Sequence, residues 1–570
     1  MQARQRSRRA MVAILFLVYL ILACSPLKEP ASAPASVPST VVSTPTTLAT
    51  SELTSTLLLP TDTPVPGPAS AATRAPAGGL LRLFGQEPVT LDSALAGDTH
   101  SHEYIGKIFS GLVRLSGDLE VLPDIAERWE VDASHTVYTF YLRRNVKFHS
   151  GRSVTAGDVK YSIERACDPE TGSRVAGSYL GDIVGALDKL DGRASEVSGV
   201  EVLDDYTLRI TTDASKTYFL AKLTYPTSFV VDREQVEGAS ADWWQEANGT
   251  GPFWLEQFDS ESIILRANDD FYRERPSLDE VVYLLRGGGA VGQYETGQVD
   301  VAPVSAANID RALDPSNPLH DDLVIVHALS TWYLAFNVAM PPFDDLKVRL
   351  AFAHATNKKA LADVILNKMV EPAAGILSPG IPGYNEDLEG IPFDPDMALD
   401  MLDESRYADD LPPIVFTVTG EGGAGAVDEA LAESYRQILG AEIEIQQMSW
   451  PRFLDGLDKR QFQMFSLGWI ADYPDPENFF DLLFHSQSEY NHMTYSNPQV
   501  DALLEQARTE SDRQTRLNLY QKVEEILVRD VAWIPLYHDI DYQLVKPYVK
   551  GLVISPQGFY FVENVVVEPH

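Results

Sequence analysis

Regular alternation of apolar and polar positions begins only near Leu80, and from there it switches repeatedly between a period of two and a period of 3.6. "VYTFYLR" (Val137 to Arg143) is β-branched and aromatic and predicts a strand. "YTLRITT" (Tyr206 to Thr212) and "SIILRAN" (Ser262 to Asn268) predict two more. "TAGDVKYSIERA" opens with Thr155 and Asp158 at capping-box spacing and continues with helical periodicity. "DLKVRLAFAHATNKKALADVIL" (Asp345 to Leu366) predicts a helix broken near Asn357. One stretch predicts a whole supersecondary unit. "PIVFTVTG" reads as a strand. "AVDEALAESYRQILG" reads as a helix with Leu431, Tyr435, Ile438 and Leu439 on one face and Gly440 as its stop. "AEIEIQQ" reads as a second strand. Strand, helix and strand in this succession give a parallel pair, so at least part of the chain is α/β. Near the end, Leu519, Tyr520, Val523, Ile526 and Leu527 recur at helical spacing. No internal repeat is visible.

The segment before Leu80 has a different character. Arg4, Arg6, Arg8 and Arg9 precede an apolar run from Met11 to Ala23, short for a bilayer span and of the length of a signal segment. The run ends in Leu-Ala-Cys (Leu22 to Cys24), which resembles the lipobox of bacterial lipoproteins. That resemblance implies cleavage before Cys24 and lipidation of its thiol, with two or three acyl chains giving a stable anchor. Ordinary secretion with an incidental Cys24 is the alternative. Residues 25–79 are rich in Ser, Thr, Pro and Ala and bury too little apolar area to fold, so they read as an extended tether.

Charge and cysteine usage narrow the classes. The 570 residues carry 45 basic and 82 acidic side chains, a formal net charge of −37, which argues against nucleic acid and against a broad grip on anionic lipid. With 45% hydrophobic residues, most of the chain can bury a core, in more than one compact unit. Cys167 is the one cysteine besides Cys24, so a lipidated Cys24 leaves no disulfide, and Cys167 reads as a buried thiol.

Motifs for catalysis are absent from the string. The Gly-rich stretch Gly420 to Ala426 reads as a strand-to-helix turn rather than a dinucleotide fingerprint. "RGGGA" (Arg286 to Ala290) lacks the Lys-Ser/Thr of a P-loop. There is no G-x-S-x-G elbow, and His102-Glu103 is not followed by the second histidine of a zincin. His100 and His102 lack a third ligand at a telling spacing and read as part of a surface loop. "GWIADYPDPENFF" (Gly468 to Phe480) sets aromatics beside Asp472, Asp475 and Glu477. Asp472 and Glu477 would suit a glycosidase pair only at a set separation, which Pro474 and Pro476 leave undetermined.

Six stretches in order carry a resemblance over Leu80 to His570. They are Leu122 to Arg165, "NGTGPFWLEQF" (Asn248 to Phe258), "YETGQVDVAPV" (Tyr294 to Val304), Trp332 to Lys358, "GWIADYPDPENFF", and Ala532 to Gly551. In these the chain resembles the extracytoplasmic solute-binding proteins of ABC importers, in the family that binds oligopeptides, dipeptides and nickel. The resemblance implies an α/β, periplasmic-binding-protein-like fold of two lobes and a hinge, with an extra inserted domain. It implies a signal peptide at 1–23, a lipidated Cys24 and linker at 24–78, and a binding domain at 79–570. Within that domain, lobe I would comprise about 79–109, 232–329 and 538–570, the inserted domain about 110–231, and lobe II about 330–537.

The implied function is non-catalytic and needs no cofactor. A monomer, held to the outer face of the cytoplasmic membrane or in the periplasmic space by its lipid, would capture an oligopeptide. It would deliver the ligand to ABC permease subunits served by a cytoplasmic ATPase. Trp469, Ala471, Asp472 and Tyr473 match the motif whose acid pairs with a peptide's α-ammonium in oligopeptide-binding members, so Asp472 is the implied anchor. Trp469 and Tyr473 would line side-chain pockets. Trp450 falls where a family tryptophan lines a pocket, and the loop Gly97 to His100, with Asp98 and Thr99, falls where lobe I offers backbone to an extended ligand. Two positions depart from the family. Ser466 stands where some members place an arginine for the peptide carboxylate, and Asp428 stands near a position where they use histidine. Alternatives kept open are another solute, such as an oligosaccharide, a nickel chelate or an opine-like compound, and a secreted hydrolase using the same acids.

Overall fold

The computed structural model describes residues 79–238, 241–420 and 424–570. The signal segment, Cys24, the linker through residue 78 and residues 421–423 of the Gly-rich turn lie outside the described residues. The described elements build two lobes around a single long sheet, and a separate module is inserted in the first lobe.

The sheet runs, in order, through Ile443–Met448, Ile414–Thr419, Met464–Ile470, Ser330–Phe336, Trp533–Val545, Val301–Pro303, Leu80–Phe84, Glu280–Leu284, Ser262–Ala267 and Phe253–Phe258. Its centre is Trp533–Val545. The first half of that strand pairs antiparallel with Ser330–Phe336 and the second half with Val301–Pro303 and Leu323–His327. One strand is therefore hydrogen-bonded to both lobes. The predicted strand–helix–strand unit is present, with Ile414–Thr419 and Ile443–Met448 parallel and in register. Its helix, Ala426–Leu439, buries Leu431, Tyr435 and Leu439 and ends at Gly440 with φ 65°, a left-handed turn that glycine adopts at no steric cost.

The inserted module has its own four-stranded sheet, Ala126–Val131, Val137–Leu142, Thr207–Thr211 and Val200–Asp204 in that order. Its core includes Phe140, Val159, Ile163, Leu208, Ile210 and Phe219. Thr155 and Asp158 form the expected capping box on Ala156–Ala166. Cys167 closes that helix, fully buried, and burial pushes its thiol up to about 12. The second lobe has a core on each face of the sheet. Phe465, Phe479, Phe480 and Trp533 lie on one side, and Leu334, Phe416, Tyr435 and Met464 on the other.

One expectation changes. The stretch Gly97 to His100 is not a loop. Asp98 is the N-cap of a helix, Thr99–Ile108, accepting from Ser101 N at 2.9 Å and Ser101 Oγ at 2.7 Å. His100 and His102 are therefore helical, and His102 packs its ring edge-on against Tyr225 at 4.6 Å. The break expected near Asn357 is present, and the helix from Asp345 first spans Leu346–His354. It restarts after Asn357, which caps Ala360 N at 2.9 Å, and continues as a π-helical turn, Leu361–Ile365.

Candidate ligand-binding cleft

The strand Met464–Ile470 alternates strictly. Phe465, Leu467 and Trp469 pack on one core, while Ser466, Gly468 and Ile470 face the other side of the sheet. The strand stops where Ala471 N reaches Leu329 O at 2.8 Å. The prolines at 474 and 476 then force a turn, and the helix Glu477–Phe484 begins directly after Pro476. All eight residues of that helix are buried. This turn has no freedom to drift, and it carries three carboxylates with different fates.

Asp475 is claimed by Arg516, whose two Nη groups donate to it at 2.8 and 2.6 Å. Glu477 is 3% exposed and is claimed by Lys222 at 3.0 Å and by the Tyr473 hydroxyl. Lys222 also pairs with Asp182 at 3.0 Å. Burial alone would lower the Lys222 pKa; Asp182 and then Glu477 reverse this and carry it above its ordinary value. Burial pushes Glu477 up, and Lys222 opposes. With Glu477 occupied in this way, Asp472 and Glu477 do not form a pair facing one substrate, which removes the basis for a glycosidase reading.

Asp472 is the acid left without a cation. It accepts from Asn478 Nδ2 at 2.8 Å and from the Tyr179 hydroxyl of the inserted module. Its own N–H goes to Asn478 Oδ1 at 3.0 Å, which also takes the Trp469 indole N–H at 3.0 Å. Gln557, from the C-terminal part of the first lobe, donates to the carbonyls of Ala471 at 2.8 Å and Asp472 at 2.7 Å. Tyr179 is backed by Tyr225, stacked at 3.5 Å. Three parts of the fold thus converge on one carboxylate. Burial raises its pKa, and the bonds from Tyr179 and Asn478 pull it back only in part, to about 6.

Two cavities adjoin this point. One, about 150 Å³, is lined by Thr99, Ala471, Asp472, Tyr225 and Gln557. The other, about 700 Å³, is lined by Asp98, Val175, Trp450, Leu454, Tyr490 and neighbours from all three parts of the fold. The expected residues Asp472, Ala471, Thr99, Asp98 and Trp450 therefore all border open space. Trp469 and Tyr473 border neither cavity. Trp469 packs edge-on against Tyr490 at 5.5 Å, and Tyr473 is 1% exposed with its hydroxyl on Glu477. Both sit behind the carboxylate as support, because their polar atoms are used by Asn478 and Glu477. Tyr179, Tyr225, Asn478 and Gln557 were missed by sequence reasoning. Only Asn478 lay inside the quoted motif, as an amide next to a Pro-stiffened helix start.

Residues 120–491 match the family model for the middle part of the bacterial extracellular solute-binding proteins, family 5. The chain belongs to that family. Among curated proteins, this family 5 chain is 29% identical to the dipeptide-binding protein DppE of Bacillus subtilis, over 83% of this chain and 89% of that one. It is 30% identical to the probable deoxycholate-binding periplasmic protein YgiS of Escherichia coli, over 85% and 92%. The solved structure of the Escherichia coli murein tripeptide-binding protein MppA superposes with a TM-score of 0.78 at 26% identity, covering 86% of this chain and 98% of that one. Against the unliganded open form of MppA, the TM-score is 0.66 with the same coverage. The lobes described here are thus arranged unlike that open form, in keeping with the Tyr179–Asp472 and Lys222–Glu477 contacts that join the inserted module to the second lobe.

Proposed function

We propose that this family 5 protein is the lipid-anchored capture component of an ABC importer. It binds oligopeptides in the cleft between its lobes and hands them to a permease. The lobe and linker boundaries are those inferred from the resemblance. The observation that carries the peptide reading is Asp472. It is a carboxylate in a closed cleft, fixed by Asn478 and Tyr179, with no Lys or Arg within ion-pair distance among the described residues. An ammonium is the group that such a site lacks, and a desolvated ammonium needs a carboxylate in turn. Every unblocked peptide carries one, so this anchor selects peptides without selecting a sequence. Main-chain bonds to the cleft walls supply the rest of the affinity.

The reading is tested by what co-purifies with the protein. Mass spectrometry of material released on gentle denaturation should give a ladder of short peptides of mixed sequence. A single non-peptide mass, such as a steroid acid or a sugar, would keep the two-lobed receptor and discard the peptide.

The pKa of Asp472 sets the pH dependence. Ammonium binding requires the ionised carboxylate, and in the unliganded cleft half of it is protonated near pH 6. Affinity for a free-amine peptide is therefore full above about pH 7 and falls by about tenfold per pH unit once pH drops below 6. Calorimetric titrations between pH 8 and pH 4.5 check this, and a flat profile would remove Asp472 from the binding reaction.

A further inference from the structure

The face of the sheet that continues from Asp472 along Ile470, Gly468 and Ser466 is acidic and aromatic. Trp332 lies on the neighbouring strand opposite Gly468. Its ring comes so close over that glycine that a Cβ there would stand 2.9 Å from it. The indole is 38% exposed, and it stacks at 6.0 Å on Tyr537 of the next strand. Asp539 accepts from Trp332 Nε1 at 2.5 Å and from Ser330 Oγ at 2.9 Å. Two residues on, the Asp541 carboxylate takes no hydrogen bond or ion pair among the described residues. Asp428, which like Asp539 acts on Tyr537, accepts from Ser466 Oγ at 2.7 Å. None of these acids has a Lys or Arg nitrogen within 4.0 Å among the described residues. The ammonium of Lys358, on the same lobe, is directed to the Ala373 carbonyl at 2.9 Å.

Burial raises all three carboxyls from their ordinary range, and the neighbouring Asp539 adds to the rise at Asp541, to about 6. A cation from outside would oppose that rise. It would also meet the partly exposed indole of Trp332, an aromatic partner for an ammonium or guanidinium. Extended chain rises about 3.3 Å per residue, so Gly468 lies at most about 13 Å from Asp472, which stands just beyond the strand's end. A peptide anchored by its ammonium on Asp472 and lying along the strand brings its third to fifth side chains over Trp332.

We propose that Asp428, Asp539 and Asp541, with Trp332, make this cleft selective for peptides that carry a lysine or arginine side chain three to five residues from the amino end. The proposal rests on the peptide reading above and specifies which peptides are taken.

The test uses amidated alanine hexapeptides with a free amino terminus, bearing a single lysine, norleucine or glutamate at position 3, 4 or 5. Calorimetric titration of the purified protein should show lysine binding about tenfold or more tighter than norleucine at one of the three positions, with glutamate weakest there. In Asp541→Asn and Asp539→Asn the lysine preference should shrink by at least about threefold, while the norleucine peptide keeps its affinity. The first of these removes a charge with no partner, so it leaves the fold intact. Equal affinity for lysine and norleucine peptides at all three positions would overturn the selectivity while leaving the peptide reading in place. Failure of every hexapeptide to bind would overturn both.

Discussion

Asp472→Asn is expected to weaken binding of a free-amine peptide by about a hundredfold or more, without lowering the melting temperature of the unliganded protein. The size follows from what the substitution strands. In the closed cleft the ammonium keeps hydrogen-bond acceptors but loses its counter-charge, and truncating one partner of a buried charge pair costs about 2–5 kcal/mol. The direction of the stability effect follows from the pKa. Asp472 titrates near 6 in the folded protein, above its ordinary value, so the fold prefers it neutral, and the unliganded protein loses stability as pH rises from about 4 through 6. Asparagine is neutral throughout and can still meet Tyr179 and Asn478. A peptide blocked by N-acetylation separates the roles. It should bind the native protein weakly and lose little more in the variant. Equal affinity of native protein and variant for the free-amine peptide would sink the anchor.

Lys222→Met should lower stability by about 3–5 kcal/mol, the cost of leaving buried charge uncompensated. Lys222 is 5% exposed and stands between Asp182 and Glu477 at 3.0 Å each. Asp182 would keep Lys216 at 2.7 Å, but Glu477 would keep only the Tyr473 hydroxyl. The damage should therefore concentrate on Glu477, and the second substitution Glu477→Gln should restore part of it. Denaturant midpoints of the two single variants and the double variant measure the coupling. An unchanged midpoint for Lys222→Met would mean that water enters this interface freely. The same cycle followed by peptide titration reads how much the pair contributes to holding the inserted module against the second lobe.

The contrast between the three acids of one motif explains what sequence could and could not supply. Asp472, Asp475 and Glu477 are equivalent as letters, and each suits catalysis, capping or ligand binding. Arg516 and Lys222, from distant parts of the chain, decide that two of them are structural. Of the partners that hold Asp472, Asn478 is local, but Tyr179 is 293 positions away and Gln557 85. Periodicity carries no trace of such contacts. It does carry the elements whose burial repeats locally, which is why Val137–Leu142, the capping box at Thr155 and the parallel pair around Ala426–Leu439 were legible. The helix at Thr99 was not, because "THSHEYIGKI" offers little apolar stripe and starts through a side-chain cap on Ser101. The family's six ordered stretches made the two-lobed fold visible where local pattern alone gave only α/β.

The position of Trp533–Val545 also bears on how the chain reaches this fold. The strand at the middle of the sheet comes from near the end of the sequence. Its partners lie far back in the chain, as with Ser330 and Asp539, 209 positions apart. Contacts of such separation slow folding, because the loop they close must be ordered first. Neither lobe can complete its sheet until this last stretch has left the ribosome, whereas the inserted module has nearly all of its core in hand some three hundred residues earlier. A growing chain would thus hold one finished module between two unfinished lobes, a state in which the bulk of the polypeptide is still free to be threaded through a narrow channel.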